Sequence, residues 1–141
     1  MTVTLSDEAM AFIALFEDET GATARDCVVD EEYDRLIFLV SAGEMGEAIG
    51  PGGQHVQRVE EQLDREIKLV EDAPTAADFV ASALAPAAVY NVTISENDDR
   101  VAYAEVADED RGAAIGADGR NIDAARRLAA RHYDVDEIEL T

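Results

Sequence analysis

Apolar residues first recur at helical spacing. Met10, Ile13 and Phe16 fall in a segment that opens with Ser6-Asp7-Glu8 and runs to Gly21. A serine in front of two acids predicts a capped helix start, and the glycine predicts its stop. Val28-Val29 and Leu36-Ile37-Phe38-Leu39-Val40 are apolar runs of strand length, with Glu31 to Asp34 as the hairpin turn. A short helix is predicted around Met45 to Ile49, a glycine loop after it, a longer helix over Gln54 to Asp64, and a strand over Ile67 to Val70.

The same series then repeats. Pro74-Thr75 starts a helix carrying Phe79, Val80, Ala83 and Leu84, which breaks near Pro86. Val89 to Ile94 and Val101 to Val106 are predicted strands, and Ser95 to Arg100 the turn between them. Asp108 to Asp110 cap a short helix, a long helix runs from Arg120 to about His132, and Ile138-Glu139-Leu140 closes as a strand. The chain thus divides into residues 1–72 and 73–141, each reading α-β-β-α-α-β.

At an offset of 66 positions, Gly46-Glu47-Ala48-Ile49-Gly50-Pro51-Gly52-Gly53 aligns without a gap on Gly112-Ala113-Ala114-Ile115-Gly116-Ala117-Asp118-Gly119. A Gly-x-x-Gly between two helices permits a tight reversal and a close approach of backbone to ligand. The helix that follows presents free N–H groups and the positive end of its dipole, a combination suited to a sugar-phosphate backbone. Neither loop ends in the Lys-Ser/Thr of a nucleotide-binding Walker loop, and neither follows directly from a strand.

The segments Ala48 to Val56 and Ala114 to Ile122 carry a resemblance to KH domains of type II, in which an extra helix and strand precede the strand-helix-loop-helix-strand core. Two such domains in one short chain resemble the archaeal NusA-type family, in its halophilic variety. The resemblance implies an α+β fold of tandem type II KH domains, each a three-stranded sheet covered by helices. It also implies a factor that binds single-stranded RNA in transcription termination or antitermination. The RNA-binding set expected from the loops and their surroundings is Ile49, Gly50, Pro51, Gly52, Gly53, Gln54, His55 and Arg58 in the first copy. In the second it is Arg111, Ile115, Gly116, Ala117, Asp118, Gly119, Arg120, Asn121, Arg127 and Arg131. KH loops commonly hold a lysine or arginine between the glycines; neither of these does. The alternative is a KH-fold protein-interaction module, docking on RNA polymerase or the ribosome with little RNA affinity.

Charge sharpens the picture. With 32 acidic residues against 11 basic ones, the net charge is −21, and the acids are spread along the chain. Such a surface repels itself unless salt shortens the Debye length, to roughly 3 Å at about 1 M. A salt-rich cytoplasm is therefore expected. The basic residues cluster once, as Arg111, Arg120, Arg126, Arg127 and Arg131. At about 100° per residue Arg120, Arg127 and Arg131 share a helix face opposite Ile122, Ala125 and Ala129. This predicts an exposed arginine stripe in the second copy. In the first, Val56, Val59 and Leu63 form the buried stripe, while Glu61 stands at ion-pairing distance in sequence from Arg58 and Arg65. The second copy is therefore expected to dominate RNA contact.

No enzyme, metal or cofactor is implied. His55 and His132 stand in different copies without ligand-spaced partners, and Cys27 is alone. The acids of Ser95 to Arg100 lack the spacing of a calcium loop. Met1-Thr2-Val3-Thr4 opens no signal peptide and no apolar run is long enough to span a bilayer. A soluble cytoplasmic monomer is expected, with single-stranded RNA as partner and RNA polymerase as a candidate second one.

Overall fold

In the computed structural model, which describes residues 3–141, the Ser6 hydroxyl accepts a hydrogen bond from the Ala9 amide at 3.0 Å and starts helix α1 (Asp7–Thr20). The N-terminal reading falls partly on Met1 and Thr2, outside the described residues. Gly21, at φ 76°, ends α1 by donating to the Glu17 carbonyl. The buried stripe of α1 is Ala9, Ile13, Phe16 and Thr20. Met10, expected within it, is 48% exposed. The i, i+4, i+7 spacing from Ala9 follows the helix more closely than the three-residue steps from Met10.

Strands β1 (Ala24–Asp30) and β2 (Arg35–Val40) pair antiparallel across the turn at 31–34. Strand β3 (Glu66–Glu71) pairs parallel to β2. A parallel neighbour cannot be reached by a hairpin, so the chain must cross over the sheet. Helix α2 (Met45–Ile49), the glycine loop and helix α3 (Gln54–Leu63) make that crossover. Phe16 of α1 stacks on Phe38 of β2, ring centroids 4.4 Å apart, in a core that includes Leu36, Val40, Ala48 and Val59. Val56 and Leu63, expected beside Val59, are half-buried.

The contacts divide the chain into two compact units, one ending at Asp72 and the other running from Ala73 to Thr141. The second repeats the plan. Thr75 caps helix α4 (Ala76–Ala83) by accepting from the Asp78 amide at 3.1 Å. Strands β4 (Val89–Glu96) and β5 (Arg100–Val106) are antiparallel, and β6 (Glu137–Leu140) is parallel to β5. Helices α5 (Arg111–Ile115) and α6 (Arg120–Tyr133) form the crossover. The β4–β5 turn is tighter than the sequence suggests. Ser95, Glu96 and Arg100 belong to the strands, and Glu96 pairs with Arg100 across the hairpin at 3.4 Å. That cross-strand ion pair extends the ladder to the last three turn residues. Phe79 stacks on Tyr133 at 4.8 Å, and Ile122, Ala125, Leu128 and Ala129 are the buried face of α6. Each sheet has its strands in chain order, β1-β2-β3 and β4-β5-β6.

Candidate nucleic-acid interface

Both glycine loops close on a 3₁₀ turn, 51–53 and 117–119, and their backbones nearly coincide. Gly50 has φ 76°, ψ 172° and Gly116 φ 80°, ψ 170°. Gly52 has φ 61°, ψ 18°, and Asp118 φ 57°, ψ 21°. Gly53 and Gly119 lie at φ 81° and 82°. Neither α3 nor α6 has a side-chain cap at its N-terminus; the loop backbone takes that part, with Gly53 donating to the Gly50 carbonyl at 3.0 Å, Gly119 to that of Gly116 at 3.1 Å, Gln54 to that of Pro51 and Arg120 to that of Ala117. Ile49 and Ile115, the last residues of the short helices, are each 40% exposed beside the loops. An apolar side chain beside a side-chain-poor loop and the positive end of a helix suits a nucleotide, with a surface for its base and a favourable field for its phosphate.

The residues one step into the long helices brace the loops. Asn121 is buried. Its side-chain amide donates to the carbonyls of Ala114 at 3.1 Å, Ala85 at 3.2 Å and Leu84 at 3.4 Å. It therefore ties the start of α6 to the ends of α5 and α4, whose last carbonyls lack helical partners. His55, at the same repeat position, is half-buried and donates from Nδ1 to the Glu47 carbonyl of α2 at 2.7 Å. Both side chains lie against the first loop glycine. A Cβ on Gly50 would stand 2.4 Å from the His55 ring, and one on Gly116 2.7 Å from the Asn121 backbone nitrogen. Only glycine fits these two positions, on grounds of both space and positive φ.

Pro51, Gly52, Ala117 and Asp118 are exposed at the loop tips, as is Gln54 just behind the first; Gly53 and Gly119 are half-buried. Asp118 stands in the left-handed region, where a short polar side chain is tolerated better than most.

The arginines are arranged otherwise than the sequence suggests. Of the stripe, only Arg127 is exposed; Arg120 and Arg131 are half-buried. Arg126 is held at 2.6 Å by Glu137 and donates to the Ile138 carbonyl at 3.1 Å. Arg111 donates to the Thr141 carbonyl at 3.3 Å. In the first unit, Arg58 is exposed, and no ion pair joins Glu61 to Arg58 or Arg65 among the described residues. Two other arginines serve the fold, Arg25 bonded to Asp72 and Arg35 to Asp30 at 2.8 Å. The charge argument that ranked the second copy above the first therefore does not hold. Helical periodicity located the face correctly but carries no information on which arginines the fold itself engages.

Residues 76–141 match the model of the NusA-like second KH domain, and residues 13–76 that of the KH domain. Over its whole length the chain is 64% identical to the whole of the "Probable transcription termination protein NusA" of Halobacterium salinarum. The chain belongs to the archaeal NusA-type family of KH-domain proteins. The family member of the same name from Halococcus morrhuae is 62% identical over 99% of both chains, and that of Methanococcus vannielii 33% identical over 99% of this chain and 80% of its own. The crystal structure of APE1850 superimposes with a TM-score of 0.87 at 33% identity, covering 97% of this chain and all of that one. The tandem KH fold and the halophilic affinity implied by the sequence are thus shown. Among the described residues, no helix is long and apolar enough to cross a membrane, and no group of three or more histidine, cysteine or acidic side chains is placed to hold a metal ion.

Proposed function

We propose that this protein binds single-stranded RNA as a factor in transcription termination or antitermination. Phosphates would lie at the loops 50–53 and 116–119, and bases along Ile49 and Ile115. The first KH domain is assigned to residues 1–72 and the second to 73–141. The observation that carries the reading is the doubled loop: two backbones matching within a few degrees, each leading into a helix that no side chain caps and flanked by an isoleucine of equal exposure. The relatives' name, transcription termination protein, supplies the process. Arg58 and Arg127, exposed on the long helices, are assigned to long-range attraction of RNA, while the likewise exposed Arg126 is held by Glu137 and Asn121 and His55 hold the loops in shape. The chain acts as a monomer, with RNA polymerase as the candidate protein partner.

The second reading, a KH module that docks on protein with little RNA affinity, draws on one observation: the second loop carries a carboxylate, Asp118, where a phosphate would approach. Backbone-amide NMR with a short single-stranded oligoribonucleotide, in molar potassium chloride, separates the two. The proposal expects saturable shifts at 49–55 and 115–120; shifts at neither loop up to millimolar RNA favour the second reading.

A further inference from the structure

Strand β4 is an edge strand that the fold leaves open. The order β4-β5-β6 gives the second sheet two edges. At β6 the Arg126 guanidinium covers the edge by bonding the Ile138 carbonyl and the Glu137 carboxylate. No strand or side chain does the equivalent at β4 among the described residues. Natural sheets blunt such edges with lysine, proline or charge, because unpaired backbone groups template another strand. In a chain with 30% charged residues, Val89 to Ser95 carries no charge and no proline. The one irregularity is a bulge, a register shift between Val89 and Asn91 that leaves Tyr90 unpaired and 68% exposed. A bulge re-aims a side chain without closing the edge.

Two clefts meet at Tyr90. One, of about 320 Å³, lies between β4 and the small residues Ala77 and Ala81 of α4, with Asp78 at its rim. The other, of about 580 Å³, is walled by Glu105, Asp108 and Glu109, and no basic residue lines either cleft. A second copy of this chain, also at −21, would set acidic surface against these acidic clefts. The charge of the clefts instead suits a cation, and an exposed tyrosine ring is a platform for one.

We propose that β4 is a docking edge for an extended, basic segment of a partner protein, which adds to the sheet as a further strand and seats an arginine or lysine beside Tyr90. This surface is separate from the glycine loops and does not depend on RNA binding.

The test uses the full chain at the lowest salt where circular dichroism shows it folded. A short synthetic peptide alternating valine and arginine is titrated while backbone-amide NMR is recorded, beside a counterpart with glutamate for every arginine. Saturable shifts and slowed amide exchange confined to Val89–Glu96 and its neighbours support the proposal. They should persist in a Pro51→Glu/Ala117→Glu loop variant, and weaken at least tenfold in Tyr90→Ala and in Glu105→Lys/Asp108→Lys. Four results would overturn it: no saturable binding, equal binding of the glutamate peptide, shifts centred on the glycine loops, or a concentration-dependent dimer by sedimentation with shifts along β4, which would make a second copy the occupant.

Discussion

Asn121 shows how a residue beside the loop can hold the loop in shape. Truncating it leaves three carbonyls of the second unit without its amide, and a buried polar group deprived of its partner costs about 1–3 kcal/mol. Asn121→Ala is therefore expected to lower stability by that amount in urea unfolding, whereas His55→Ala, with one such bond at a half-buried site, loses less. Asp118 has the opposite character. Asp118→Gly suits the positive φ and removes a carboxylate from the loop, so RNA affinity should rise without loss of stability. Unchanged or weaker binding in that variant would show that RNA does not approach the second loop. Cys27 gives a pH-dependent reporter of folding. Burial, with Asp26 and Glu8 adding and Arg65 opposing, pushes its thiol from 9.0 up to about 12. A thiol whose pKa is raised by folding stabilises the native state fully below its unfolded pKa and loses that contribution as pH climbs toward the folded value. Native protein should thus resist thiol reagents at pH 9 and lose stability between about pH 9 and 12. Rapid labelling at pH 9 under native conditions would contradict this.

Among the elements, the two crossovers are the parts that the proposed function requires to be rigid. Gly116→Ala would drive a Cβ into the Asn121 backbone and strain the left-handed turn, so it should destabilise the second unit by more than about 1 kcal/mol. Ala117→Glu, next in the chain but exposed, should leave the melting transition unchanged. A melt that ranks them the other way would refute the account of the loop. Sequence alone located these elements well. Ser6, Thr75 and Gly21 are local signals that act where they stand, and the 66-residue repeat tied each loop to a helix pair. What sequence did not disclose depends on tertiary neighbours. The burial of Asn121 and the attachment of Arg126 to β6 follow from where other strands and helices lie. The open edge of β4 is likewise a property of strand order, which periodicity does not report.

For the whole molecule, charge and RNA recognition have to be reconciled. A net charge of −21 opposes approach of a polyanion and also opposes folding at low ionic strength. Melting temperature should accordingly rise between 0.1 M and 2 M potassium chloride, with Cys27 labelling slowing in step; a flat profile would remove the link between surface charge and salt. Molar salt also weakens phosphate contacts, since counterion release contributes little there. In the proposed reading, recognition then rests on groups that salt screens poorly: the loop backbones, the helix dipoles and the isoleucine surfaces. The most direct measurement is a titration of labelled single-stranded RNA, in molar potassium chloride, against the native chain and the Pro51→Glu/Ala117→Glu variant, with circular dichroism and melting showing both folded. The account predicts saturable binding by the native chain and a loss of at least tenfold in the variant. Equal affinity of the two would contradict it, because RNA would then be held somewhere other than the glycine loops.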